Sequence, residues 1–235
     1  MTTLGLTHGR SRATAQPARS GTMVRQILLV SGMLSSVLYV ATDILGGLLY
    51  EGYSFTSQMV SELMAIDAPS EAFVDPLFII YGVLTVMFGV GVVREAARRN
   101  DALRLTGVLL IGYAIVGFTG PTLFEMHQRG AGSGGTDLPH IVLTGVLVLL
   151  TLLAMGFGAF ALDRRFRLYS FATILIMIVF GALAGSPGAR LAAGQPTPGF
   201  GILERINIYA SLLWVAVLAI ALLRRQGPAP QPSLK

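Results

Sequence analysis

The chain has 235 residues, of which 53% are hydrophobic and only 12% are charged, and its mean hydropathy is +0.69. Soluble globular domains carry about twice that charged fraction, so the composition excludes an ordinary soluble enzyme, a disordered protein and a nucleic-acid-binding module. There is no cysteine, which excludes disulfides, thiol catalysis, cysteine-bound zinc and iron–sulfur clusters. We expect a chain that lies mostly in lipid.

Six segments are long and apolar enough to cross a bilayer, which takes about 20 residues each. They are residues 26–50, 73–93, 104–124, 139–162, 168–187 and 203–223. The prediction is an all-α fold, a polytopic integral membrane bundle of six transmembrane helices that occupies residues 25–225. The polar residues 1–24 are predicted to be a disordered cytoplasmic tail, and residues 226–235 a flexible cytoplasmic tail.

The basic residues predict the orientation of the bundle. They cluster in both termini and in the second and fourth loops, and only three of the 17 lie on the other side, namely Arg129, Arg190 and Arg205. Because cytoplasmic loops carry the excess of basic residues, both termini are predicted to be cytoplasmic. Of these basic residues only Lys235 is lysine, which is typical of a GC-rich bacterial genome, so the expected location is the plasma (inner) membrane of a bacterium. Most acidic residues fall on the predicted outer side, and acids contribute little to topology.

The first outer loop contains the segment SFTSQMVSELMAI, which predicts a short amphipathic helix. Its apolar stripe has helical spacing and consists of Phe55, Met59, Val60, Leu63 and Met64. Gln58, Ser61 and Glu62 lie on the polar side of this helix. Two interpretations stay open: the helix lies in the membrane interface with a solvated polar face, or Glu62 points into a cavity between the helices.

Two charged residues are predicted to meet inside the bundle. Asp43 lies seven residues before Tyr50, which places it about 10 Å below the outer end of the first span at 1.5 Å per residue. A carboxylate at that depth needs a partner, and the predicted partner is Arg205 at the start of the last span. Two interpretations without a functional role stay open: the pair is purely structural, or Asp43 is protonated and bonded to backbone.

The last span begins with the pair Glu204-Arg205, and Tyr209 lies one turn beyond Arg205 on the same face. Helical neighbours point about 100° apart, so one member of the pair is predicted to face the bundle and the other the headgroups. Arg205 could hold a phosphate or carboxylate headgroup in its planar fork, or act as an ordinary interface anchor.

Two histidines lie on the predicted outer side, next to acidic residues. His127 follows Glu125 by two residues, and His140 follows Asp137 by three. Imidazoles beside carboxylates can bind zinc or another divalent ion, so both histidines are candidate metal ligands. Their spacing matches no established metal motif, so the prediction is no metal site, a hydrogen-bonding role for His140, and no required cofactor.

The polar motifs, taken in order, resemble a known family. They are Tyr53-Ser54, then Ser61-Glu62-Leu63, an acid near the end of the third span, His140 opening the fourth, and GILERINIYASLLW in the sixth. This pattern resembles the bacterial six-helix membrane family catalogued as domain of unknown function number 998. The resemblance implies a six-helix bundle and no particular activity. It implies that the polar positions that matter are Glu62, Glu125, His140, Glu204 and Arg205.

Polar residues from separate segments are predicted to converge at the outer membrane–water layer. The candidate ligand-binding residues are Asp43, Glu62, Glu125, His140, Glu204, Arg205 and Tyr209. The leading hypothesis is a site open to the outer leaflet that takes a lipid headgroup or a small amphiphile, with membrane lipids as partners and no nucleic acid. One alternative is an intramembrane acid/base or metal-assisted hydrolase, in which Glu62 or His140 is the base and Arg205 stabilises an anion. The others are a structural or partner-binding subunit and a proton-coupled transporter.

Overall fold

The computed structural model describes residues 17–96, 100–131, 134–184 and 188–225, and in these residues every regular element is helical. The α-helices are α1 (Pro17–Leu49), α2 (Glu71–Glu95), α3 (Asp101–Leu123), α4 (Asp137–Ala161), α5 (Arg164–Ala184), α6 (Gly188–Ala192) and α7 (Phe200–Arg224), and a 3-10 helix covers Val60–Met64. All of the α-helices except α6 are long and apolar enough to cross a membrane. The predicted all-α bundle of six spans is confirmed.

The helix ends agree with the predicted spans to within a few residues, except at the N-terminus. There α1 begins at Pro17, inside the segment predicted to be a disordered tail. Proline suits the first helical position because its missing N–H has no partner there in any case. Polar residues can also extend a spanning helix into water, so the end of the apolar pattern did not mark the end of the helix. Residues 1–16 and 226–235 lie outside the described residues.

The six long helices form a ring in chain order. Each of α1 to α4 packs on the next helix, α5 packs on α7, and α7 packs back on α1. Three inter-helix segments therefore meet at one end of the ring. We call this the outer end, following the predicted orientation, and we call residues 50–70, 124–131 and 188–199 the outer cap.

The packed core occupies the inner half of the ring. Its fully buried members include Phe88, Met155, Trp214 and Leu218. An ion pair closes the inner end, where Arg25 Nε donates to Glu95 Oε1 at 2.6 Å while Arg25 Nη2 donates to the Leu222 carbonyl at 2.7 Å. One guanidinium thus ties α1 to α2 and α7.

The three segments of the outer cap are bonded to one another by hydrogen bonds to backbone carbonyls. The linking hydrogen bonds run from Ile66 N to Met126 O, from Gly130 N to Leu191 O, and from Thr197 Oγ1 to Ser57 O, at 2.9, 3.0 and 2.7 Å. Backbone groups must be paired somewhere, and in the outer cap they pair between segments as well as within them. The outer cap therefore covers the outer end of the ring, and its three segments are bonded to one another.

Candidate functional site

The predicted contact between Asp43 and Arg205 is present in the structure. Arg205 Nε donates to Asp43 Oδ2 at 2.9 Å, and Arg205 Nη2 donates to Asp43 Oδ1 at 2.7 Å. Asp43 has no exposed surface, and Arg205 is 8% exposed. The pair is bidentate, which is the strongest geometry that a guanidinium and a carboxylate can form, and it joins α1 to α7.

The other N–H groups of Arg205 bind the outer cap. Arg205 Nη1 donates to the carbonyls of Phe55 and Gln58 at 2.9 and 2.8 Å, and more weakly to Gly201 O at 3.2 Å. Nη2 also donates to the Tyr53 hydroxyl at 2.6 Å. The guanidinium lies 5.1 Å from the Phe55 ring centroid and 5.6 Å from that of Tyr53. An arginine has five N–H donors, and all five are engaged, so none is left for a headgroup phosphate in this structure.

Two tyrosines complete this ion-pair network. The Tyr209 hydroxyl donates to Asp43 Oδ2 at 2.5 Å, so the sequence placed Tyr209 correctly on the same face as Arg205. The Tyr53 hydroxyl, which accepts from Arg205, donates to the Met59 carbonyl at 2.7 Å. Burial raises the pKa of Tyr53 above its usual value, so Tyr53 stays a neutral donor. The network links α1, α7 and the first cap segment.

The helix predicted in the first outer loop is shorter than the sequence pattern suggests. It is the 3-10 helix Val60–Met64, and it does not extend back to Ser54. The reason lies in the four carbonyls of residues 55–58, each of which accepts a hydrogen bond from α7 or another part of the outer cap. An α-helix would need these same carbonyls for its own N–H groups four residues later. Tertiary partners therefore replace the helical ladder.

Glu62 is buried at 3% exposure, so the interpretation of a solvated polar face is wrong for this residue. Arg129 Nη2 donates to Glu62 Oε1 at 2.8 Å, and Arg129 Nε donates to Oε2 at 3.1 Å. The Met59 N–H also donates to Glu62 Oε1, at 2.9 Å. No local sequence pattern predicts the contact between Glu62 and Arg129, because the two residues are 67 positions apart.

The two histidines have separate partners, and Glu125, which precedes His127 by two residues, is not part of the ion-pair network. His127 Nδ1 lies 3.0 Å from Asp137 Oδ1, and His140 Nδ1 lies 3.0 Å from the Phe124 carbonyl. Glu125 is exposed just past the end of α3. Within the described residues, no three His, Cys, Asp or Glu side chains lie close enough together to hold a metal ion.

A cavity of about 200 Å³ lies between the helices beneath the outer cap. Its polar lining comes from three segments, the 3-10 helix, α4 and α7, and consists of Ser61, His140, Thr144, Thr151, Glu204, Asn207 and Ser211. Its aromatic lining consists of Tyr39, Phe78, Tyr81 and Tyr113. Leu147, Met177 and Ile208 are among the apolar residues that line the remainder. The cavity therefore has Glu204 and His140 at the end below the cap, and its walls are mostly aromatic and aliphatic, with hydroxyls such as those of Thr151 and Ser211 bonded to their own helices.

Glu204 faces this cavity, which corrects one expectation. Only one member of the pair Glu204-Arg205 was predicted to face the bundle, but both do. Arg205 points toward α1, whereas Glu204 lines the cavity and its Oε2 accepts from the Val60 N–H at 2.8 Å. The outer cap covers the start of α7. The side chains of Glu204 and Arg205 therefore both point into the protein, although they leave the helix about 100° apart.

The aromatic wall and Arg129 are the parts of the site that the sequence analysis missed. Tyr39, Tyr81 and Tyr113 lie on three different helices, and a tyrosine within an apolar span gives no signal of a shared cavity. The available signal was the set of aromatic residues in the outer halves of adjacent spans, combined with the ring order of the helices.

Comparison with known proteins places the chain in a family. No curated protein and no solved structure matches it. A family model described as "Protein of unknown function (DUF998)" matches residues 33–221, which is most of the chain and contains α2 to α6, half of α1 and most of α7. The ion-pair network and the cavity both lie within the matched residues. The resemblance carried by the polar motifs is confirmed, and the chain is a multi-pass membrane protein that belongs to this family of unknown function.

Proposed function

We propose that the protein binds a small amphiphile or a lipid headgroup in the cavity beneath the outer cap. The observation that carries this proposal is the lining itself. Polar groups such as Glu204 and His140 lie at the end nearest the cap, and aliphatic and aromatic side chains form the walls. Ligand sites are mostly apolar concavities with a few convergent polar groups, and this polarity suits a molecule with one polar head.

The size of the cavity limits the ligand. Pockets for drug-sized molecules have volumes of roughly 300–1,000 Å³, whereas this cavity has about 200 Å³. It fits a headgroup with a short stretch of chain, but not a complete two-chain lipid. Thr144 and Val148 of α4 line the cavity and are also exposed, so a longer tail can leave on the α4 side and remain among the membrane lipids.

The ion-pair network supports this cavity without contacting the ligand. Val60, Ser61 and Met64 of the 3-10 helix form part of the cavity roof. The carbonyls that precede this helix are held by Arg205, which Asp43 fixes in turn. Asp43 and Arg205 are therefore positioning residues in this proposal, and Glu204 and His140 are the polar groups that face the ligand.

Two matched glycine substitutions test the proposal. Gly82 lines the cavity, and a Cβ built on it meets no atom within 4 Å. Gly145 is an exposed glycine of α4 that also has open space at its Cβ but does not line the cavity. Leucine at either position gains the same helix propensity, but only Gly82→Leu fills the cavity.

The readout is native mass spectrometry of each detergent-purified protein after incubation with a total lipid extract of the expression host. We expect an added amphiphile mass on the wild type and on Gly145→Leu, and its loss in Gly82→Leu. Equal uptake by all three proteins would place the bound molecules outside the cavity and overturn the proposal. A bare mass for the wild type would favour a structural or partner-binding subunit.

A further inference from the structure

We propose that the cavity selects an amphiphile whose polar head is an organic ammonium group. This inference rests on the proposed function and adds the chemical class of the ligand. Its basis is the combination of one carboxylate and four aromatic rings in the same lining, with no Lys or Arg among the described residues that line the cavity. Carboxylates and aromatic faces are the groups that recognise ammonium ligands in proteins.

The aromatic rings are arranged edge to face rather than stacked. The Tyr39 ring centroid lies 4.9 Å from that of Phe78 and 5.0 Å from that of Tyr81, and the Phe78 and Tyr81 centroids are 6.4 Å apart. Edge-to-face contacts turn the rings in different directions, so ring faces are not all covered by neighbouring rings. The Tyr81 hydroxyl donates to the Tyr113 hydroxyl at 3.1 Å, which fixes two of these side chains across α2 and α3.

The described lining of the cavity contains one acidic side chain, that of Glu204. Glu204 accepts a hydrogen bond from the Val60 N–H and forms no ion pair with another described residue. Its neighbour Arg205 has committed all its donors to Asp43, Tyr53 and backbone carbonyls. Among the described residues, no Lys or Arg of the lining offsets the Glu204 carboxylate.

A neutral His140 adds a hydrogen-bond acceptor to the lining. Its Nδ1 faces the Phe124 carbonyl at 3.0 Å, and a carbonyl can only accept, so Nδ1 carries the proton. In the neutral imidazole the other nitrogen, Nε2, is then an acceptor. His140 and Glu204 together make the polar end of the cavity rich in acceptors.

This lining discriminates between classes of headgroup. A phosphate or carboxylate head would meet the Glu204 carboxylate with no cation to compensate, and like charges in a low dielectric repel strongly. A neutral hydroxyl head could bond to Glu204 but would leave its charge without a counter-charge. An ammonium head supplies the counter-charge and also gains from the ring faces.

Three probes with the same C12 chain and different heads test the inference: dodecyltrimethylammonium, dodecanol and dodecyl phosphate. Binding to the full-length protein in a non-ionic detergent is measured by native mass spectrometry over a range of probe concentrations. We expect the ammonium probe to bind at least about tenfold more tightly than dodecanol, and dodecyl phosphate to bind more weakly than both.

The variant Glu204→Gln keeps an oxygen for the Val60 N–H and removes only the charge. It should lower the affinity for the ammonium probe by about tenfold or more and leave that for dodecanol within about threefold, because only the first interaction is ionic. The control Glu51→Gln changes an exposed glutamate of the outer cap that does not line the cavity, and it should change neither affinity. If Glu204→Gln does not fold, a second pair of variants tests the contribution of the aromatic rings. Tyr39→Phe keeps the ring and should keep the preference for the ammonium probe, whereas Tyr39→Leu removes the ring and should lose it.

The outcomes separate this inference from the proposed function. If all three probes bind equally to the wild type and all are lost in Gly82→Leu, the cavity binds amphiphiles and the ammonium inference is wrong. The ammonium inference is also wrong if Glu204→Gln and Tyr39→Leu both retain full preference for the ammonium probe. If no probe binds to the wild type, both the inference and the proposed function fail.

Discussion

Replacing Arg205 by methionine removes the main partner of a fully buried carboxylate. Asp43 has no exposed surface, and the hydrogen bond that it keeps among the described residues comes from the Tyr209 hydroxyl. The same substitution releases the carbonyls of Phe55 and Gln58 in the outer cap. Methionine is apolar and unbranched and ends at the position of Nε, so the variant keeps the packing of the arginine stem and loses all the polar contacts of the guanidinium.

The expected cost follows from the burial of the pair. Removing one partner of a buried ion pair costs about 3–5 kcal/mol, because the other charge stays buried without compensation. Asp43→Asn should cost a similar amount, since it leaves the Arg205 guanidinium without a counter-charge. The double variant removes both charges, so it should cost less than the sum of the single variants, with a coupling energy of about 2–3 kcal/mol.

Trp214 provides the assay, because it is the sole tryptophan of the chain and lies in the core at 1% exposure. Its fluorescence during a titration of dodecylmaltoside micelles with sodium dodecyl sulfate reports unfolding. Arg190→Met serves as control, since Arg190 is an exposed residue of the cap, and it should change the free energy of unfolding by less than about 0.5 kcal/mol. Single-variant losses below about 1 kcal/mol, or strictly additive losses in the double variant, would refute the reasoning.

Three further predictions concern the outer cap and the orientation. Gly201→Ala places a Cβ too close to two cap carbonyl oxygens, those of Gln58 and Phe55, and should destabilise the protein by about 1–3 kcal/mol in the same titration; wild-type stability would contradict this packing. Arg129→Gln removes the partner of the buried Glu62 carboxylate and should speed hydrogen–deuterium exchange in residues 126–131 and 190–197, whereas unchanged exchange would mean that the ion pair does not hold the cap. Because the chain has no cysteine, Glu51→Cys should react in intact cells with an impermeant maleimide and Lys235→Cys should not; the reverse pattern would invert the predicted topology.

The sequence predicts the fold well, because membrane insertion leaves strong one-dimensional signals. Long apolar runs define six spans, and the observed helix ends match them closely on every helix but α1. The pair of Asp43 and Arg205 was also predictable. Both are charged residues within or at the edge of a span on the predicted outer side, and a buried charge in a membrane protein needs a partner.

The sequence does not predict contacts that depend on how loops meet. The apolar stripe of the first outer loop is consistent with an α-helix from residue 54 to residue 66, and only the tertiary donors on the carbonyls of residues 55–58 limit it to the 3-10 helix Val60–Met64. Likewise, Glu62 meets Arg129 because the first and third loops lie side by side. Neither contact has a spacing that a local pattern could encode, since each joins segments far apart in the chain.

Glu204 and Arg205 also show why loss of binding on mutation must be interpreted with care here. Both residues anchor the first cap segment to α7, since Arg205 binds the carbonyls of Phe55 and Gln58 while Glu204 binds the Val60 N–H. Alanine at either position would release the cavity roof, so ligand loss in such variants would not identify a ligand contact. Glu204→Gln retains an acceptor for Val60 and removes the charge alone. A selective loss of ammonium binding in that variant, with dodecanol binding kept, is therefore evidence of direct contact that a change in cap structure could not produce.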